Sequence, residues 1–226
     1  MFCFLFPFKY HIIIISLLAY WQIKLANRFI GDRGCACKLS VDGTDFRIPQ
    51  PTRFWKGWFS FKFKGPGLRY EVALGIQSGY ICWVNGPFAP GCWVDISIFR
   101  AKLKQFLRPG EKVEADAGYR GDGSTCPPDD CANMREYIMK QEVRSRHETV
   151  NRRLKQFNCM HQFRHNIDDH VYFFEAAAVV TQLGIESGER LYNVLYDKLS
   201  MQIFAQSEKE EEMKLCQMTQ GGLRLR

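Results

Sequence analysis

The stretch KLSVDGTDFRI, Lys38 to Ile48, reads as a strand with Leu39 and Val41 on one face. It delivers Asp42 directly into Gly43, a residue that permits a bend or a close approach. The same device recurs downstream. KVEADAGYRG, Lys112 to Gly121, is a short strand that carries Asp116 and then runs into glycine. An aspartate on one strand and another at the end of a second, each followed within two residues by a glycine, are the frame on which the rest of the chain is read.

Between them, FSFKFK alternates strictly, with Phe59, Phe61 and Phe63 on one side and Ser60, Lys62 and Lys64 on the other. This predicts a half-buried strand with a basic outer face. GPG at Gly65 to Gly67 reads as a turn, RYEVALGIQ as a further strand, and GYICWVNGPF as its continuation in the sheet. VDISIFRAKLKQFL sets Ile96, Phe99, Leu103 and Phe106 at helical spacing, and RPG at 108–110 ends it. A loop rich in Gly, Pro and Asp precedes a helix over about 132–157, and VYFFEAAAVVTQLGI forms another helix after it. Strands, helix, strand, loop, helix, helix is the order of an α/β mixed sheet flanked by helices. The expected organisation is a hydrophobic lead segment over 1–38, a domain over 39–200 and a charged tail over 201–226.

The helix around RSRHETVNRRLKQF, Arg144 to Phe157, surrounds one glutamate with five formally positive side chains and a histidine. Val143, His147, Val150, Leu154 and Phe157 make the apolar stripe, so Arg144, Glu148, Arg152 and Lys155 lie on the opposite side. A ladder of i±4 ion pairs explains such a helix when it stands alone, at a few tenths of a kcal/mol per pair. Here Asp42, Asp116 and Glu148 can converge. Like charges about 4 Å apart repel by roughly 4 kcal/mol at an effective dielectric near 20, so an acidic cluster demands protonation or a cation. Hard oxygen ligands favour Mg2+ or Mn2+, and such ions serve phosphodiester cleavage. Flanking arginines and lysines would then hold phosphates.

SVDGTDFRI, RYEVALGI, WVNGPFAPGCWVDISIFR, VEADAGYRG and VRSRHETVNRRLKQF together resemble, in order and spacing, the catalytic domain of DDE-superfamily endonucleases of the Harbinger-type transposase group. The resemblance runs from about Leu39 to Tyr196. It implies an RNase H-like fold and a metal-dependent Asp-Asp-Glu site in which Asp42, Asp116 and Glu148 are catalytic and ligate Mg2+ or Mn2+. Asp95 matches a recurrent aspartate of the group and reads as a helix-start residue suited to the helix dipole. The implied activity is cleavage or transfer of DNA phosphodiesters. The alternative is a domesticated, inactive DNA-binding protein of the same fold. Such transposases usually carry a DNA-binding helical region ahead of the core. No helix-turn-helix is readable in the 38 residues before it, which points to a separate protein for site recognition. Self-association is a further partner expectation, and a eukaryotic source would imply the nucleus.

The charge pattern agrees with a polyanionic partner. The net charge of +7 is concentrated over 135–164, which holds eight Lys/Arg against three Glu. Arg144, Arg152, Lys155, Lys62 and Lys64 are the candidate DNA contacts. Trp55 and Trp58 read as packing residues, with base stacking the lesser alternative. His147, on the apolar stripe, reads as a packing histidine. Nine cysteines without a repeated CxxC spacing signal neither a disulfide framework nor a zinc module and fit a reducing compartment. Cys35 with Cys37, or Cys126, Cys131, Cys159 and His161, are the sets that could hold a metal in principle. The apolar run from Ile12 to Trp21 is too short for a spanning helix, which needs roughly 20 residues, so residues 1–22 read as a packing or partner helix in preference to a membrane segment.

Overall fold

The computed structural model describes residues 22–53, 55–127, 131, 134–161, 163–196 and 213. The apolar segment 1–21 and, apart from Met213, the tail 201–226 lie outside the described residues, and with them the reading of the apolar run as a packing helix and the reading of the tail; of the lead segment 1–38, residues 22–38 are described.

Strand β1 (Cys37–Arg47) forms the centre of a six-stranded sheet. On one side it pairs antiparallel with β3 (Gly65–Gly75), which carries both β2 (Phe59–Ser60) and β4 (Ile81–Phe88) on its other edge. On the other side β1 runs parallel to β5 (Lys112–Ala115), and β5 runs parallel to β6 (Thr125–Cys126). A parallel pair requires a crossover. Helix α1 (Asp95–Ala101) and the 3-10 turn Leu103–Phe106 supply it between β4 and β5. Helix α2 (Met134–Gln156), the single turn α3 (Asn158–His161) and helix α4 (His170–Glu186) follow the sheet. The architecture is the expected α/β, RNase H-like mixed sheet flanked by helices.

Helices on both faces explain why β1 and β3 are buried on both sides. Leu39, Val41 and Val113 face α1, where they pack with Phe99, Leu103 and Tyr119. A second cluster joins Phe46, Tyr70, Val72 and Leu74 of the sheet to Val150 and Leu154 of α2 and Phe174 and Ala178 of α4. Full burial of side chains such as Val150 and Leu154 stabilises the fold by about 1.5–3 kcal/mol each. The apolar stripe read on α2 is therefore its buried face, widened by Arg146 and Asn151, which are also buried.

The basic strand differs from expectation. Only Phe59 and Ser60 pair, and residues 61–64 form a turn that leaves Phe61 78% exposed. Phe59 and Ser60 pair with Pro66 and Gly65, so residues 61–64 are the turn of a hairpin, closed with Lys64 at φ 54° ahead of Gly65, while the Ser60 hydroxyl donates to Asp45 Oδ2 at 2.5 Å. Gly65 to Gly67, read as a turn, are instead the first residues of β3. Phe106, read as part of the α1 stripe, is more than half exposed because α1 ends at Ala101 and the chain tightens into the 3-10 turn.

Candidate active site

The two aspartates are brought together by register. Across the parallel pair, Ser40 faces Glu114 and Val41 faces Ala115. One residue further on, Asp42 and Asp116 stand side by side, with backbones at the roughly 5 Å spacing of neighbouring strands. Asp116 keeps extended backbone (φ −78°, ψ −177°) and caps the next 3-10 turn, its carboxylate accepting from the Gly118 N–H at 2.8 Å.

Helix α2 lies along this pair of strands. His147 Nδ1 meets the Ser40 hydroxyl at 2.9 Å, and one turn later the Asn151 amide donates to Asp42 Oδ2 at 2.8 Å. Four residues of helix advance about 6 Å and two residues of strand about 6.6 Å, so two successive contacts can match only if helix and strand run alongside each other. Glu148 is carried between these anchors. With Asp42 and Asp116 it lines one cavity of about 290 Å3. Lys62 and Arg144 line the same cavity, together with Ser40, Glu114, Lys140 and His147. Glu148 is exposed and lies 3.7 Å from the Arg144 guanidinium, the i,i+4 pair the helix pattern suggested.

Asp95 completes the acidic group from beneath. It is the first helical residue of α1, not its N-cap; Val94 holds that position without a side-chain cap. Asp95 thus holds the helix-start position read for it, where an acid suits the dipole. Its carboxylate is turned back toward the sheet, 3.1 Å from the Arg69 guanidinium. A Cβ on Gly43 would lie 2.2 Å from Asp95 Oδ1, and one on Gly118 would lie 3.2 Å from Oδ2. The glycines after the two strand aspartates therefore leave room for a further acid. Arg69 also grips Asp45 with two hydrogen bonds of 2.7 and 3.1 Å, which fixes the guanidinium between the acids.

Electrostatics register this crowding. Burial pushes the Asp42 carboxyl up to about 6; Lys62 opposes the rise, while Asp116 and Asp95 add to it. Burial likewise raises Asp95, with Arg69 and Lys62 opposing and Asp116 and Asp45 contributing. His147 is driven down to about 3 by burial and by Arg146, so it is a neutral, packed imidazole, as its place on the stripe suggested. Asp95 Oδ1 is buried without an aligned hydrogen bond. Asp42, Asp116 and Glu148 share one cavity wall, but among the described residues they do not bring one oxygen each within 4.8 Å of one another, so the set is open; partly desolvated carboxylates of this kind suit a hard divalent cation that draws them together.

The expected phosphate contacts divide. Lys62 and Arg144 line the cavity, and the Lys62 ammonium also donates to the Gly43 carbonyl. Lys155 lies over the Phe46 ring at 5.9 Å; burial and Lys62 lower its pKa, with Asp42 and Asp45 opposing. Arg152 and Lys64 are exposed. Trp55 is exposed and meets Trp58 edge to face at 6.4 Å, while Trp58 packs against the core. Sequence reasoning missed Asn151, Arg69 and Glu114. For Asn151 the available signal was its spacing, three residues after Glu148 and four after His147.

A sheet of this topology with an acid-lined cavity over its parallel pair defines an RNase H-like domain. The family model described as DDE superfamily endonuclease matches residues 41–182, and the chain belongs to that family. No curated protein and no solved structure gives a significant match. Among the described residues, no helix is long and apolar enough to cross a membrane.

Proposed function

We propose that the protein is a divalent-metal-dependent DNA endonuclease of transposase type, in which Asp42, Asp116 and Glu148 hold Mg2+ or Mn2+. The observation that supports this most directly is the β1–β5 register, which sets two aspartates abreast beneath the helix that carries the glutamate. The raised Asp42 pKa and the hard oxygen donors fit the ion. When bound, the metal would supply Lewis-acid stabilisation of the oxygens that enter and leave phosphorus.

The chain's own residues do the rest. Asn151 holds the Asp42 carboxylate in one orientation through its amide. Lys62 and Arg144 at the cavity wall would take the phosphates beside the scissile one, and Arg152, Lys155 and Lys64 would extend that contact along the strand. DNA is the substrate, with a separate DNA-binding protein for site recognition and a second copy of the chain as a further partner, and a eukaryotic chain would act in the nucleus.

The test is Asp116→Asn in a Mg2+-dependent plasmid-nicking assay. We expect nicking to fall on the order of a hundredfold or more, because even the outer partners of metal ligands cost 10–100-fold, while salt-dependent DNA binding survives. Nicking at the wild-type rate by that variant overturns the assignment. DNA binding by the wild type with no nicking in Mg2+ or Mn2+ would leave a DNA-binding protein of the same fold.

A further inference from the structure

No metal motif is spelled by the spacing of the cysteines, yet the sheet gathers two of them. Cys37 near the start of β1 and Cys126 in β6 flank β5, and their sulfurs approach to 3.5 Å across it. Glu114 of β5, paired with Cys126 in the register, projects between them. One ligand atom from each of the three lies within 4.8 Å of the other two, and all three residues are buried. We propose that Cys37, Cys126 and Glu114 form a site for a soft or borderline divalent ion of the Zn2+ class, separate from the hard-ion site of Asp42, Asp116 and Glu148.

The geometry carries this in three ways. First, Zn–S bonds of about 2.3 Å at the tetrahedral angle place two sulfurs about 3.8 Å apart, and the observed 3.5 Å needs only a small opening to match. Second, the carboxylate is already held as an outer-shell partner would hold it: the Tyr196 hydroxyl donates to Glu114 Oε1, and the Cys37 thiol is hydrogen-bonded to the same carboxylate. Third, the surroundings suit thiolate ligation. Ile76, Met139, Val143 and Val194 pack with the cysteines, the Lys140 ammonium stands near Cys126 and Glu114 and would move aside for an ion, and Glu114 and Lys140 line the acidic cavity, the side from which an ion and a fourth, solvent ligand would enter. Binding would release the thiol protons of Cys37 and Cys126 and leave the ion bridging three adjacent strands. Because Asp116 follows Glu114 by two residues, the ion would brace the strand that presents the second aspartate.

Chemistry separates the two sites. Thiolates select Zn2+, Co2+ and Cd2+, whereas an all-carboxylate set selects Mg2+ or Mn2+. The experiment titrates the full-length reduced protein with Co2+ in the presence of excess Mg2+ and records the thiolate-to-Co2+ charge-transfer absorption. We expect one equivalent to bind with that band, Zn2+ to displace it, and Zn2+ to raise the melting temperature. Cys37→Ser and Cys126→Ser should each abolish the band. Should a serine variant fail to fold, its alanine counterpart, which buries no hydroxyl, takes its place. Asp116→Asn should keep the band, so failure of this site and failure of the nuclease reading are distinguished. Absence of the band in the wild type, or its persistence in both the Cys37 and the Cys126 variants, overturns the proposal.

Discussion

Glu71 is fully buried on β3, where the Trp83 indole donates to its Oε2 at 3.0 Å. Burial pushes its carboxyl from an ordinary 4.5 up to about 7, with Trp83 and Asn85 opposing and Asp95 adding to the rise. Above pH 4.5 the unfolded chain releases this proton while the folded chain keeps it, so stability falls as pH rises through the window from 4.5 to 7. Glu71→Gln removes the titration. Denaturant unfolding at pH 5 and pH 8 should show the variant losing less stability on the alkaline side, with a ceiling of about 3 kcal/mol at 1.36 kcal/mol per unit. At this scale the sequence was informative for residues with a local signature. Asp42 and Asp116 could be picked out because each precedes a glycine that an ordinary strand has no use for, and Glu148 because it stands alone among cations. Arg69, Arg146 and Asn151 escaped because a buried polar residue is spelled like a solvated one; only the partner across the fold distinguishes them.

The element that assembles the site is α2. Its two anchors differ in kind, since His147 to Ser40 is a buried contact between neutral groups and Asn151 to Asp42 holds a carboxylate. Asn151→Ala should therefore leave the circular-dichroism spectrum unchanged while nicking falls by about 10–100-fold. If activity were unaltered, the amide would have no part in orienting Asp42. Strand and helix assignments were legible wherever periodicity was sustained, as in α2 and β1. The segment 59–64 misled because strict alternation over so short a run does not record where a side chain is pinned. The chain reverses at 61–64 to pair Ser60 with Gly65, and Ser60 is pinned there on Asp45.

At the scale of the whole molecule, the described residues ahead of β1, 22–36, pack onto the domain. Arg28 donates to both Glu111 oxygens, at 2.6 and 3.2 Å, with both side chains buried, and Glu111 also accepts from the Arg108 N–H at 3.0 Å. Removing one partner strands a buried charge, so Arg28→Ala should cost about 3–5 kcal/mol, and pairing Arg28→Met with Glu111→Leu should recover most of it. Equal loss in the single and double variants, by denaturant unfolding, would show that no charge is stranded. The α/β class was readable from element order, and the reason is topological: a helix between two strands is long enough to make the crossover that a parallel pair requires. The register of that pair was not readable, and it is what sets Asp42 beside Asp116.

Arg146 lies two residues before Glu148 on α2, and its guanidinium donates to the carbonyls of Gly75 and Ile76, where β3 leaves the sheet toward the turn into β4. The Gly79 N–H closes that turn on the Gly75 carbonyl at 2.8 Å. Glutamate and turn thus hang on one rod, and any tightening of α2 over the acids is transmitted to a backbone amide that touches neither substrate nor ion. Deuterium uptake at Gly79 should slow when Mg2+ is added to the wild type and stay constant for Asp116→Asn, giving a silent, non-catalytic gauge of whether the acidic cavity is filled.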